Sequence, residues 1–288
     1  MATSTLTVEQ PGALTLVEDL GRPGFAHLGV SSSGALDRGA LALANRLVGN
    51  PVSAAALEVV MGGLRARFDA ETWFAVTGAW GDLRLDGRRI APYTAARARP
   101  GSVLELGIAS RGVRYVLALR GGLDVPPVLG SRSRDTLAGL GPEPVRAGQV
   151  LAIGAEPAAS VPLLDHEAAF PPTEGAVTLA LLPGPRTDWF TDAAHAALFD
   201  GGWRLSEQAD RIGARLLGEP LERLVTGELP SEATVPGSVQ VAGDGLPTIL
   251  LADRPVTGGY PVIAVVAAAS LDALAQVRPG QAVRFRHA

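Results

Sequence analysis

Thirty-five glycines and 22 prolines punctuate this sequence, and they fall between short apolar runs along its whole length. Neither residue sits well inside a helix: glycine loses the most backbone entropy there, and proline lacks the N–H that the helix needs. Both belong in tight turns between strands. The chain therefore reads as mainly β with a few helices. Asp86-Gly87, between Leu83-Arg84-Leu85 and Arg88-Arg89-Ile90, is a hairpin signal, because a type I′ turn needs positive φ at both central residues. Val113 to Leu119, Val177 to Leu182, Thr248 to Ala252 and Val262 to Val266 read as strands. Helical spacing of Leu36, Ala40, Leu43, Ala44 and Leu47 predicts a helix over 35–48, capped by Ser33 or Gly34 and stopped by Gly49-Asn50-Pro51. A second helix is predicted over 187–199, with Trp189, Phe190, Ala193, Ala197 and Leu198 on one side.

A length of 288 residues suits about two ordinary domains. Ala, Pro, Glu and Ser dominate residues 156–175, where Pro171-Pro172 stiffens the chain and no periodicity is sustained. This segment reads as a linker between an N-terminal domain, 1–155, and a C-terminal one, 176–288. A turn-then-strand pattern recurs in Arg99-Pro100-Gly101-Ser102-Val103-Leu104, Arg146-Ala147-Gly148-Gln149-Val150-Leu151 and Arg278-Pro279-Gly280-Gln281-Ala282-Val283. Two of these close the two halves, which favours a pair of similar β-barrels.

Two absences exclude much chemistry. There is no cysteine, so there is no disulfide, thiolate nucleophile or cysteine-ligated zinc. There is no lysine either: all 25 basic residues are arginine. Schiff-base chemistry, a P-loop lysine and lysine-linked biotin are excluded with it. A net charge of −4 gives no basic field for nucleic acid. Met1 to Gln10 lacks a signal-peptide pattern, and the apolar run from Val262 to Ala269 is too short to span a bilayer. The expectation is a cytoplasmic protein with no membrane partner.

His27, His166, His195 and His287 are too far apart in sequence to form a zinc-type pair, so no metal site is expected. No Gly-x-Ser-x-Gly elbow is present. Three polar, Gly-rich stretches stand out. Gly29 to Asp37 opens the first helix, where free N–H groups favour an anion; Ser33 and Asp37 serve equally well as simple caps. Gly130-Ser131-Arg132-Ser133-Arg134-Asp135-Thr136 combines hydroxyls, guanidiniums and a carboxylate, suited either to clamping a carboxylate or phosphate or to a local Arg–Asp pair. Asp253 to Pro261 joins two apolar strands and reads either as a site at a barrel mouth or as a tight β-connection under Tyr260.

Taken together and in order, these stretches resemble the family of C-type subunits of 5-oxoprolinase, also called allophanate-hydrolase subunit 2. The resemblance rests on Asp19-Leu20-Gly21-Arg22-Pro23-Gly24, Gly34-Ala35-Leu36-Asp37, Ala44 to Asn50, Leu57-Glu58, Gly121-Gly122, Gly130 to Ser133, Asp210-Arg211-Ile212-Gly213, Gln240-Val241 and Asp253 to Pro261. Relatives of that family include the carboxyltransferase region of urea carboxylase and a Kip-type antagonist of a sporulation-kinase inhibitor. The resemblance implies two cyclophilin-like β-barrel domains in tandem and a B-type partner, in a heterodimer or heterotetramer. With an A-type subunit, the assembly would open the lactam of 5-oxoproline to glutamate at the expense of ATP. A carboxyltransferase acting on urea or allophanate-type amides, and a non-catalytic antagonist, are the alternatives. Their place in Gly-rich turns beside apolar strands makes Asp253, Arg132, Asp135, Arg211 and Tyr260, from loops of both halves, the residues expected for the chemistry. Ser33, Asp37, Ser131, Ser133, Thr257, Gly258 and Gly259 would bind substrate. Arg132 and Arg211 would clamp an anion, and Asp253 would accept a proton or orient a neighbour. Departures from the family pattern are Leu36, where Met is common, Arg134, where Thr is usual, and Pro142-Glu143-Pro144 in place of a Gly-rich turn.

Overall fold

The computed structural model describes residues 4–162 and 172–288. The centre of the expected linker, and His166, lie outside the described residues. The chain divides into two units, one of Met1–Arg22, Asp37–Arg134 and Leu140–Pro172, the other of Pro23–Leu36, Asp135–Gly139 and Thr173–Ala288. The second unit thus recruits two short segments from the first half of the sequence.

Over its described residues, the first unit is a nine-stranded sheet curled into a half-barrel. Its spine is the antiparallel pair Thr72–Leu85 and Val103–Leu119, whose register shifts between Gly78 and Leu83. Such bulges raise the local twist and bend the sheet. Asp86 and Gly87 form the expected hairpin turn, with φ of 52° and 75°. Leu6, Leu57, Phe68, Phe74, Leu104 and Leu117 fill the core. The first helix, Arg38–Leu47, buries Ala40, Leu41, Ala44 and Leu47 and ends before Gly49, at φ 71°. Thr77 Oγ1, on the strand Thr72–Leu85, donates to Ala40 O at 2.8 Å. The cap is Asp37, whose carboxylate accepts from Ala40 N at 2.8 Å, and not Ser33 or Gly34. Ser33 is engaged elsewhere.

The second unit is a closed barrel. Around it run Val177–Pro183, Val262–Val266, Ser238–Val241, Pro247–Leu250, Gly213–Leu217, Trp203–Leu205 and Ala282–His287, and the last pairs in parallel with the first. Closure removes the exposed edges that an open sheet would leave. Leu179, Val239, Val241, Ile249, Ile263 and Trp203 pack inside it. The second predicted helix is two pieces: a 3₁₀ turn, Thr187–Trp189, and a helix, Asp192–Asp200. Phe190 breaks it, extended at φ −124° and buried, and Thr191 re-caps the chain by accepting from Ala194 N.

The turn-then-strand echo is a shared device. Arg99, Arg146 and Arg278 each donate their backbone N–H to a side-chain oxygen three residues on, at Ser102, Gln149 and Gln281. Gly101, Gly148 and Gly280 supply the positive φ between them. His195 bonds Thr187 O, and His287 stacks on Phe199, so both are packing residues; His27 is exposed and meets Gly24 O. Among the described residues, no helix is long and apolar enough to cross a membrane.

Two glycines separate backbone conformation from crowding. Gly87 has φ +75° with open space where a Cβ would go, so Gly87→Ala should cost about 1 kcal/mol. Gly62 has φ +90°, and a Cβ there would lie 2.1 Å from Gly107 O. Gly62→Ala should cost at least about 2 kcal/mol more than Gly87→Ala, because backbone must move. Denaturant midpoints of the two variants check this; equal losses would refute the crowding at Gly62.

Candidate functional site

In the second unit the strand Pro247–Leu250 runs on to Asp253, which is wholly buried. A buried carboxylate must be matched by donors or it loses its charge. Asp253 is matched on every side. Oδ1 accepts from Ser33 Oγ at 2.6 Å and Arg211 Nη2 at 3.2 Å. Oδ2 accepts from Thr136 N at 2.9 Å, Thr136 Oγ1 at 2.8 Å and Arg211 Nε at 2.9 Å. Arg211, itself buried, also donates from Nη2 to Gly34 O at 2.6 Å. One carboxylate thus ties the segments 23–36 and 135–139 to the barrel.

Burial pushes the Asp253 carboxyl up, but the Arg211 charge, the Arg211 and Ser33 hydrogen bonds and the Thr136 N–H outweigh it and hold it below its ordinary value. Five donors use up the roughly four lone-pair sites that a carboxylate offers. These donors hold the carboxylate in place. Ser33 completes the arrangement from a strained conformation, φ 51°, its N–H bonded to Ala252 O. Asp135 is buried beside Thr136 in the chain: its Oδ2 accepts from Ser31 Oγ, and its Oδ1 from the N–H groups of Leu137 and Ala138.

The remaining residues expected in this unit do not join that cluster by hydrogen bonds. Thr257–Gly258 pairs with Glu232–Ala233, and Tyr260 is exposed, its carbonyl accepting from Gln240 Nε2. A Cβ at Gly258 would lie 2.4 Å from Gln240 Nε2, the end of a side chain that would have to shift. Arg254 is buried, with Nη2 on Thr234 O at 3.2 Å and no hydrogen-bond partner for Nε or Nη1; burial lowers its pKa.

Ser131, Arg132, Ser133 and Asp37 belong to the first unit. Ser131 Oγ and Ser133 Oγ both donate to Asp19 Oδ1 at 2.6 Å, and Arg132 N donates to Asp19 Oδ2 at 2.7 Å. Arg22 closes the arrangement by donating to Ser133 O. The two serines are therefore spent on Asp19, a residue that the sequence flagged only within a motif. The signal was its own turn: Gly21 N donates back to Asp19 Oδ1. The Arg132 guanidinium has Nη2 3.6 Å from Asp124 Oδ1. Arg134 Nη1 meets Glu143 Oε1 at 2.8 Å and Gly141 O, so two of the departures from the family pattern meet in one ion pair.

Removing the charge at Asp253 leaves Arg211 buried without its counterion. Asp253→Asn should therefore destabilise the protein by about 3–5 kcal/mol. In the wild type the folded carboxyl titrates below its unfolded value, near 3.9. Its contribution is thus present above about pH 4 and is lost as pH falls through the folded pKa. Melting temperatures measured between neutral pH and strong acid should converge for wild type and Asp253→Asn as pH drops. A gap independent of pH would contradict a charged Asp253.

Comparison with known proteins establishes kinship. A family model described as "Carboxyltransferase domain, subdomain A and B" matches residues 28–287. The chain is 38% identical to the C-type subunit of 5-oxoprolinase from Escherichia coli over 97% of its own length and 90% of that protein's. It is 31% identical to urea amidolyase of Saccharomyces cerevisiae over 98% of its length, but spans only 16% of that enzyme. Among solved structures, the Kluyveromyces lactis urea amidolyase superposes with a TM-score of 0.91 at 29% identity, over the whole of this chain and 19% of that one. TTHA0988 superposes with a TM-score of 0.88 at 39% identity, and this chain spans about half, 56%, of that chain. The chain belongs to the carboxyltransferase-domain family, subdomains A and B, and is homologous over nearly its full length to the C-type subunit of 5-oxoprolinase.

Proposed function

We propose that this chain is the C-type subunit of an ATP-dependent 5-oxoprolinase, acting with B-type and A-type subunits to open the lactam of 5-oxoproline. The observation that carries the reading is the similarity to the E. coli protein, nine-tenths of which is covered. The urea amidolyase matches favour a second reading, carboxyl transfer to a urea-type amide, but they cover only a small part of those enzymes. In either role, the chain supplies guanidiniums that cannot lose their charge at working pH and carboxylates that fix them in place.

On this reading Asp253 and Arg211 are positioning residues. An unstrained lactam is a poor electrophile, so the energy of ATP has to be coupled to it in a site that holds charged groups firmly. Buried ion pairs with every lone pair satisfied provide that firmness. We also infer that covalent biotin is not carried here, since the chain has no lysine to bear it.

Reconstitution tests the main reading. The three types of subunit together should convert 5-oxoproline to glutamate in step with ATP hydrolysis, and omission of this chain should abolish the activity. Turnover of urea with no turnover of 5-oxoproline would favour the second reading instead. Co-expression with a biotin ligase should leave the intact mass of the chain unchanged; a biotin adduct would refute the inference on biotin.

A further inference from the structure

A cleft of about 480 Å³ opens in the first unit. That falls within the range of roughly 300–1,000 Å³ usual for small-molecule sites. Its wall is built by close backbone contact: a Cβ on Gly121 would lie 2.2 Å from Gly154 O. The wall's own donors are already committed. Gly121 N bonds Asn50 Oδ1, Gly122 N bonds Leu119 O, Leu123 N bonds Ala55 O and Gly154 N bonds Gly122 O. Recognition therefore falls to the two charged side chains that line the cleft, Arg132 and Asp124.

These two are loosely coupled. Arg132 Nη2 stands 3.6 Å from Asp124 Oδ1, both side chains are more than a third exposed, and Arg132 Nε has no hydrogen-bond partner. An exposed pair of this kind contributes little to stability, so a ligand can take up both partners at small cost. The Arg132 backbone, by contrast, is fixed by Asp19. A half-exposed guanidinium on a fixed backbone is placed to meet a ligand.

The geometry points to this cleft as the site for a small amide with a carboxylate one carbon from its N–H, the carboxylate on Arg132 and the N–H on Asp124. In such a molecule the anion and the donor hang from the same carbon, so they reach a guanidinium and a carboxylate that are near neighbours. Arg offers the anion a planar fork of donors, and Asp offers the N–H an acceptor. This inference rests on the 5-oxoprolinase reading for its choice of ligand class, and 5-oxoproline is the probe.

Titration of the full chain, followed by the amide resonances of Gly121, Gly122 and Gly154, tests it. 5-Oxoproline should shift these resonances, and 2-pyrrolidone, the same ring without the carboxylate, should bind ~10-fold or more weakly. Arg132→Gln keeps the backbone bond to Asp19 and should lose a similar factor; Asp124→Asn should weaken 5-oxoproline several-fold. Failure of 5-oxoproline to shift these resonances, or equal binding to Arg132→Gln, would overturn the inference. In the three-part assembly, Arg132→Gln should raise KM. Turnover of 5-oxoproline with KM and kcat unchanged by that substitution would remove the cleft and leave the function standing. Arg132-dependent binding without turnover in the assembly would remove the function and leave the cleft.

Discussion

A carboxylate with no exposure to water has to be paid for in hydrogen bonds, and Asp253 collects them from three separate parts of the chain: Ser33, Thr136 and Arg211. Ser33 lies 220 residues away in sequence, so closing that contact orders a long loop. The gain is that two short segments, 23–36 and 135–139, become parts of the barrel's unit, with conformations the isolated segments would not keep. Ser33 shows the cost locally, in a positive φ that is held with bonds to Ala252 and Asp253.

The first unit repeats the device with different residues. Asp19 gathers Ser131, Ser133 and the Arg132 N–H, as Asp253 gathers Ser33, Thr136 and Arg211. In each case a short serine-bearing loop is pinned by a carboxylate that arrives from a distant strand end. The difference lies in what happens to the arginine. Arg211 is consumed by the knot, buried and doubly bonded to its carboxylate. Arg132 is fixed through its backbone, while its guanidinium lines the cleft 3.6 Å from Asp124. That contrast separates an arginine buried in its ion pair from one that lines a cleft.

Much of the fold was legible because its signals are local. The Asp86-Gly87 hairpin, the stop at Gly49 and the strand Val262–Val266 are each written within a few residues. The second helix was misread because spacing alone does not reveal that Phe190 is pulled into the core as extended chain, with Thr191 free to cap afresh. The site was legible as a set of residue types but not as partnerships. Ser131 and Ser133 looked like substrate contacts, and their commitment to Asp19 lies more than 110 positions away. Asp253 looked like a proton acceptor or an orienting carboxylate, and the donors that surround it come from positions as far as 220 residues away. Thr136 was flagged only within its Gly-rich stretch, and Asp124 gave no signal of its own.

If Asp253 holds these loops to the barrel, two amides report it directly. Thr136 N–H donates to Asp253 Oδ2 and Ser33 N–H to Ala252 O. Native-state hydrogen exchange reads both. Protection of Thr136 and Ser33 should lie close to that of the barrel strand Val262–Val266, well above the exposed turn at Gly87. Exchange of either amide at the rate of an open surface loop, with the barrel strand still protected, would contradict the anchoring role of Asp253.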